Sequence, residues 1–178
     1  MSEVVDPFRV LAELDARYRQ EGVVQTEQQQ SDQWSGIAFE LNGVRYVAPL
    51  GEVTEIMHMP QVTKVPGSRA WLRGVANVRG SLLPIADLPM FFGFQRPATG
   101  RRQRVLVVAQ DQHQIGIIVD DVFGLQHFEL DHRIDDTVNV DETLRPYVLG
   151  AFTRNEEVWP VFSPVALTRH SGFKQVSL

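Results

Sequence analysis

A chain of 178 residues, 43% of them hydrophobic, holds enough apolar material for one ordinary packed domain or two very small ones sharing a core, and is not disordered throughout. A formal charge of −5 argues against nucleic acid as the main ligand, and the lack of cysteine removes disulfide frameworks, thiolate metal sites and cysteine nucleophiles together. No apolar run approaches the roughly 18 residues of a membrane helix, and Glu3 and Asp6 precede any apolar stretch, so the expectation is a cytoplasmic protein with no secretory signal and no direct membrane insertion.

Residues 6–20 read as an amphipathic helix. Asp6 caps it, Pro7 suits its first turn, and Phe8, Leu11, Leu14 and Tyr18 fall near one face. Residues 21–33 are polar and glutamine-rich, a linker that completes an N-terminal segment of residues 1–33. The period then changes to two. Ile37, Phe39 and Leu41 alternate with Ala38 and Glu40, Asn42-Gly43 follows, and Val44, Tyr46 and Ala48 alternate again, which is the pattern of a β-hairpin. Further strands are expected at 104–109, 114–119, 148–153 and 157–162. Arg96, Arg101, Arg102 and Arg104, with Pro97 and Gly100 among them and no interleaved aromatic residue, read as a solvated connector between two halves. Ser163, Pro164 and Gly172 bound a short C-terminal helix at 163–171, and residues 173–178 are left as a tail.

An internal repeat organises the body. Trp71-Leu72-Arg73-Gly74 is echoed by Tyr147-Val148-Leu149-Gly150, and Leu82-Leu83-Pro84-Ile85 by Val158-Trp159-Pro160-Val161 in the same register. Gly51-Glu52-Val53 with Ile56 is echoed by Asp120-Asp121-Val122 with Leu125 after a short length difference. Pro84 and Pro160 lack the ladder donor, so they are expected on edges or at strand ends. Repeated short strands with tight turns and few helices point to an all-β fold of small barrels.

A search for chemistry returns little. No serine has a Gly-x-Ser-x-Gly setting, and neither lysine, Lys64 nor Lys174, follows a glycine-rich phosphate loop. His127, Glu129, Asp131, His132, Asp135 and Asp136 make an imaginable metal cluster, but a polar surface strand and loop is the reading preferred, and no metal is assigned. Asp120-Asp121 suggests a phosphate-accepting aspartate only faintly, because a suitably placed lysine is missing; an acidic corner between strands is preferred. No catalytic residue and no cofactor is assigned. Gly80 supplies a turn that presents Asn77 and Arg79 outward, where an arginine offers a planar donor fork to a partner.

Asn77-Val78-Arg79-Gly80, followed by Leu83-Pro84-Ile85 and Asp87-Leu88, resembles the signature turn and strand of the CheW family. Val53-Thr54-Glu55-Ile56 resembles its first corner and Gly116-Ile117-Ile118-Val119-Asp120-Asp121-Val122 its Gly-x-x-Val-Asp-x-Val element. Val78 stands where leucine is usual. The resemblance spans roughly residues 35–170. It implies two intertwined, small five-stranded SH3-like barrels within residues 34–172, with subdomains at roughly 34–93 and 103–162. It also implies a non-catalytic signal-transduction adaptor, associated with membrane-bound receptor arrays. Such an adaptor bridges the cytoplasmic tip of a methyl-accepting chemoreceptor and a CheA-type histidine kinase. Carried over by position, the coupling surface would use Val53, Glu55, Gly74, Asn77, Arg79, Gly80, Gly116 and Val122; no compact motif transfers for the kinase contacts. The N-terminal helix, Met90-Phe91-Phe92-Gly93, residues 122–128 and Val161-Phe162-Ser163-Pro164 resemble the branch that serves type IV pilus signalling and twitching motility, with a hybrid kinase as partner. A flagellar or other chemosensory adaptor is the near alternative. A small-molecule-binding β-barrel, with the cleft between the halves as pocket, is the alternative of another class.

Overall fold

The structure, a computed structural model, describes residues 33–95, 102–110, 113–135 and 140–174. The expected helix at 6–20, nearly all of its linker and much of the basic connector lie outside the described residues. Among those described, eleven strands form two sheets. The strands are β1 (Gln33–Leu41), β2 (Val44–Pro49), β3 (Val53–His58), β4 (Leu72–Val78), β5 (Ser81–Asp87), β6 (Arg104–Gln110), β7 (His113–Val119), β8 (Asp121–Glu129), β9 (Arg133–Ile134), β10 (Val148–Arg154) and β11 (Glu157–Phe162). Short helices α1 (Leu88–Phe91), α2 (Pro164–Arg169) and α3 (Ser171–Lys174) punctuate them.

One sheet has the order β8-β1-β2-β11-β10-β9 and the other β3-β6-β7-β5-β4. The halves of the chain exchange strands. Hairpin β1–β2 leaves the first half to join β8 to β11, and hairpin β6–β7 leaves the second to join β3 to β5. Parallel pairings weld the exchange, with Val161 opposite Val47 and Ile85 opposite Gly116. Each half of the chain feeds both sheets, so the spans 34–93 and 103–162 do not map one to a sheet.

Alternation along the strands explains three apolar cores. Ala76, Leu83, Ile85, Val105, Val107 and Ile118, with Met57 and Val78, fill the concave side of the five-stranded sheet. Every strand of that sheet contributes, so it curls toward a barrel. Trp34, Ala38, Val47, Phe128, Phe152, Trp159 and Val161 do the same for the six-stranded sheet. The opposite faces meet in a third, larger core that includes Phe39, Tyr46, Leu106, Ile117 and Phe162. Neither barrel closes by a main-chain ladder between its outermost strands among the described residues.

The repeat holds at atomic level. Gly74 and Gly150 sit at matching β-bulges with φ of 136° and 135°. Asp87 and Ser163 each cap a short helix, accepting from the N–H of Met90 and of Ala166. The N–H of Asp87 donates to Trp71 O at 2.7 Å, and that of Ser163 to Tyr147 O at 2.8 Å.

Two expectations need correction. Pro84 and Pro160 lie in the middle of β5 and β11, which have neighbours on both sides. They fit because parallel pairing starts one residue later, at Ile85 and at Val161. The C-terminal helix breaks at His170, and α3 then carries Phe173 into the core. Phe173 stacks on Trp71 at 5.0 Å and meets Phe91 edge-on at 5.1 Å, so it belongs to the domain and not to a tail.

Burial pushes the Tyr46 hydroxyl up to about 12, with Asp141 adding a smaller repulsion. The folded state therefore keeps this proton above pH 10, where the unfolded chain loses it. The neutral phenol's contribution is complete below pH 10 and lost as pH rises toward 12, at roughly 1.4 kcal/mol per pH unit. Tyr46→Phe is expected to flatten that part of the alkaline stability profile, measured by urea unfolding at each pH.

Candidate functional site

The turn between β4 and β5 is a two-residue hairpin turn in which Arg79 and Gly80 have φ of 52° and 85°. Asn77 holds it from within, its Oδ1 accepting from the Gly80 N–H at 3.0 Å. Left-handed backbone is unusual for arginine, and it aims this one across the barrel mouth. Arg79 Nη2 donates to Glu55 Oε1 on β3 at 2.7 Å. Because β3 and β4 are the outermost strands of their sheet, the ion pair clasps the open seam by side chains. The bridge from Thr63 to Val75, with N–O distances of 2.9 and 2.8 Å, lays the β3–β4 connection along the edge of β4 nearby.

Leu82, the cross-strand neighbour of Asn77, is 76% exposed. An exposed pair such as Arg79–Glu55 contributes little to stability, about 0–1 kcal/mol. It does fix two charged groups beside an apolar side chain on a rigid hairpin.

The structure thus brings together four of the eight residues carried over by position: Glu55, Asn77, Arg79 and Gly80. The other four serve packing. Val53 and Val122 lean on the core between the sheets, from different sheets. Gly116 is buried, and a Cβ there would meet Ile85 Cδ1 at 2.6 Å and Val105 Cγ1 at 2.7 Å. Gly74 is buried at its bulge against the main chain of Thr63.

The acidic groups weighed as chemistry have local partners. Asp120 Oδ2 accepts from the Asn42 N–H at 2.7 Å, and Asp121 Oδ1 from the Val122 N–H at 2.8 Å. His127 Nδ1 is hydrogen-bonded to Ser35 Oγ at 2.8 Å and is not grouped with the exposed ligand atoms of Glu129, Asp131 and His132. Those three offer ligand atoms within 4.8 Å of one another on a solvated turn. Hydrogen bonds from the Thr143 hydroxyl and N–H hold the Asp141 carboxyl below its ordinary value.

The pattern did not reveal Glu52. Its carboxylate accepts from Ser163 Oγ at 2.8 Å and from the Val165 N–H at 3.0 Å, tying the corner before β3 to the start of α2. The repeat hinted at it, since Glu52 matches Asp121 at the second corner.

The chain is 44% identical over 179 residues to Protein PilI of Pseudomonas aeruginosa, covering 100% of both chains. It is 36% identical over 87 residues to a probable chemotaxis protein CheW of Rhizobium etli, covering 48% of this chain and 56% of that one. The scaffolding protein TtCheW of Thermoanaerobacter tengcongensis superposes with a TM-score of 0.67 at 21% identity, over 78% of this chain and 94% of that one, which bears on the fold alone. No helix among the described residues is long and apolar enough to cross a membrane. The CheW-like domain matches residues 35–172, and the chain belongs to the CheW family.

Proposed function

We propose that this protein is a non-catalytic adaptor coupling the cytoplasmic tip of a methyl-accepting chemoreceptor to a CheA-type hybrid histidine kinase. We place it in the chemosensory pathway of type IV pili and twitching motility. The observation that carries the reading is the β4–β5 tip, where a clasped ion pair and the exposed Leu82 form a rigid, part-apolar surface. Full-length similarity to PilI supports the pilus branch. Coupling needs no bond-making step, only different affinities for different kinase states. The protein would sit in the cytoplasm beside membrane-bound receptor arrays.

Asn77→Ala with Arg79→Glu removes the turn bond and sets a carboxylate against Glu55. The expected cost in stability is about 1–2 kcal/mol, since both side chains are exposed. Capture of the receptor's cytoplasmic fragment should nevertheless fall to background, while wild type captures both receptor and kinase. Loss of the cooperative melt would make Arg79 structural; capture equal to wild type would remove the tip from the coupling surface. Saturable small-molecule binding in the cleft between the sheets, with no kinase complex, would favour a ligand sensor instead.

A further inference from the structure

The six-stranded sheet carries, at its β10–β11 tip, a cavity of ≈ 330 Å³ lined by Arg45, Gln126, Arg154, Asn155, Glu157 and Trp159. Two guanidinium groups and one carboxylate make this lining net positive in a chain of charge −5. Aromatic rings brace both arginines: Arg45 Cζ lies 5.3 Å from the Phe123 ring and 5.6 Å from that of Trp159, and Arg154 Cζ lies 5.9 Å from Phe128. Arg45 Nη1 pairs with Glu157 at 3.1 Å, and Arg154 Nη1 donates to Gln126 Oε1 at 2.8 Å. A guanidinium offers five N–H donors, so each fork retains donors for a further acceptor.

The second observation is Trp159. It is 8% exposed, and its indole Nε1, itself shielded from solvent, has no hydrogen-bond partner among the described residues. Its ring lines the cavity within cation–π reach of Arg45 and limits the freedom of that side chain. The repeat sharpens the point. In the register that pairs Gly150 with Gly74, Trp159 stands where the other barrel has Leu83 and Arg154 where it has Val78, both packed in an apolar core. Where one barrel has two aliphatic side chains, the other has an indole and a guanidinium.

We propose that this cavity binds a carboxylate, clamped between Arg45 and Arg154 beside the Trp159 ring. Planar two-oxygen acceptors match the guanidinium fork, and the braced side chains lose little freedom on binding. The same group occurs in a free organic acid and in the acidic side chain of a partner protein.

The test uses the full chain labelled with ¹⁵N, whose 3 tryptophans give separate indole N–H signals. Trp159→Phe identifies the relevant one. Sodium acetate, sodium succinate and a capped Gly-Glu-Gly peptide are titrated against sodium chloride of matched ionic strength. The expected result is a saturable shift of the Trp159 signal with the carboxylates and not with chloride. Arg154→Gln should weaken the response by at least about tenfold. Arg154→Lys, which keeps the charge and loses the fork, should weaken it too, and it serves as the second variant should Arg154→Gln not melt cooperatively. Stronger binding of succinate identifies a free acid as the occupant, stronger binding of the peptide a partner's side chain, and both support the site. An unmoved Trp159 signal, an equal response to chloride, or full affinity in the folded arginine variants would overturn it.

Discussion

Gly74→Ala is expected to bring the domain close to unfolding, while Gly150→Ala at the matching position of the repeat costs far less. The two glycines share a bulge and almost the same φ, 136° and 135°. Backbone strain from an added Cβ is therefore common to both, at roughly 1–3 kcal/mol. Their surroundings differ. At Gly74 the new atom would land on the carbonyl oxygen of Thr63 and within 2.7 Å of its carbon. That main chain cannot retreat cheaply, because Thr63 and Val75 exchange two hydrogen bonds at 2.9 and 2.8 Å. At Gly150 the nearest atom is Ile134 O at 3.3 Å, and the next are the flexible end of Arg133 at 3.8 Å. A total above about 4 kcal/mol at Gly74, against about 1–3 kcal/mol at Gly150, follows from adding a main-chain clash to one strain and not the other. Urea unfolding checks this, with the midpoint falling and the slope unchanged. Equal losses would mean that the Thr63 segment yields.

The same pair of glycines shows what was legible in the sequence. Local chemistry was readable: the Asn42-Gly43 turn, the Ser163 cap and the register of the repeat all depend on neighbours within a few residues. Strand exchange was not, because period-2 alternation says which face of β1 is buried but not which strand lies beside it. Pro84 and Pro160 misled for a related reason, since a proline forbids one donor and not a whole flank. A lone aromatic after a glycine has no periodicity to place it, so the sequence pattern gives no sign that Phe173 enters the core. The β4–β5 tip was half legible. The turn chemistry of Asn77 and Gly80 is local, whereas the Arg79–Glu55 clasp joins residues 24 apart in sequence through the curl of a sheet. Val53, Gly74, Gly116 and Val122 travelled with the family motif because a motif records what the fold needs together with what a partner touches. The repeat aligns Trp159 with Leu83 in the sequence, but only the structure puts Trp159 beside Arg45 and Arg154 in one cavity.

Phe162→Ala is expected to lower stability by about 3–5 kcal/mol, and to do so for both sheets at once. The ring is fully buried and packs against Phe39, Tyr46 and Tyr147, with centroids 6.0, 6.1 and 6.0 Å away. Its truncation opens a cavity in the core the sheets share. The strand exchange makes the consequence global. Opening the five-stranded sheet frees β6–β7, which strips Leu106, Val108, Ile117 and Val119 from that shared core. Opening the six-stranded sheet frees β1–β2, which strips Ile37, Phe39 and Tyr46 from the other side. Neither sheet then retains a complete interface on which to stay folded. Leu83→Ala, in the core inside the five-stranded barrel, should likewise cost about 2–5 kcal/mol and shift one common transition. Trp34 reports on the six-stranded barrel and Trp71 on the aromatic cluster of Phe91 and Phe173, so variants that keep one of them as sole tryptophan read the two regions separately. Their denaturation curves should superimpose in the parent and in both truncations. Curves that separate, with Trp71 responding first to Leu83→Ala, would show that the barrels unfold independently despite the exchange.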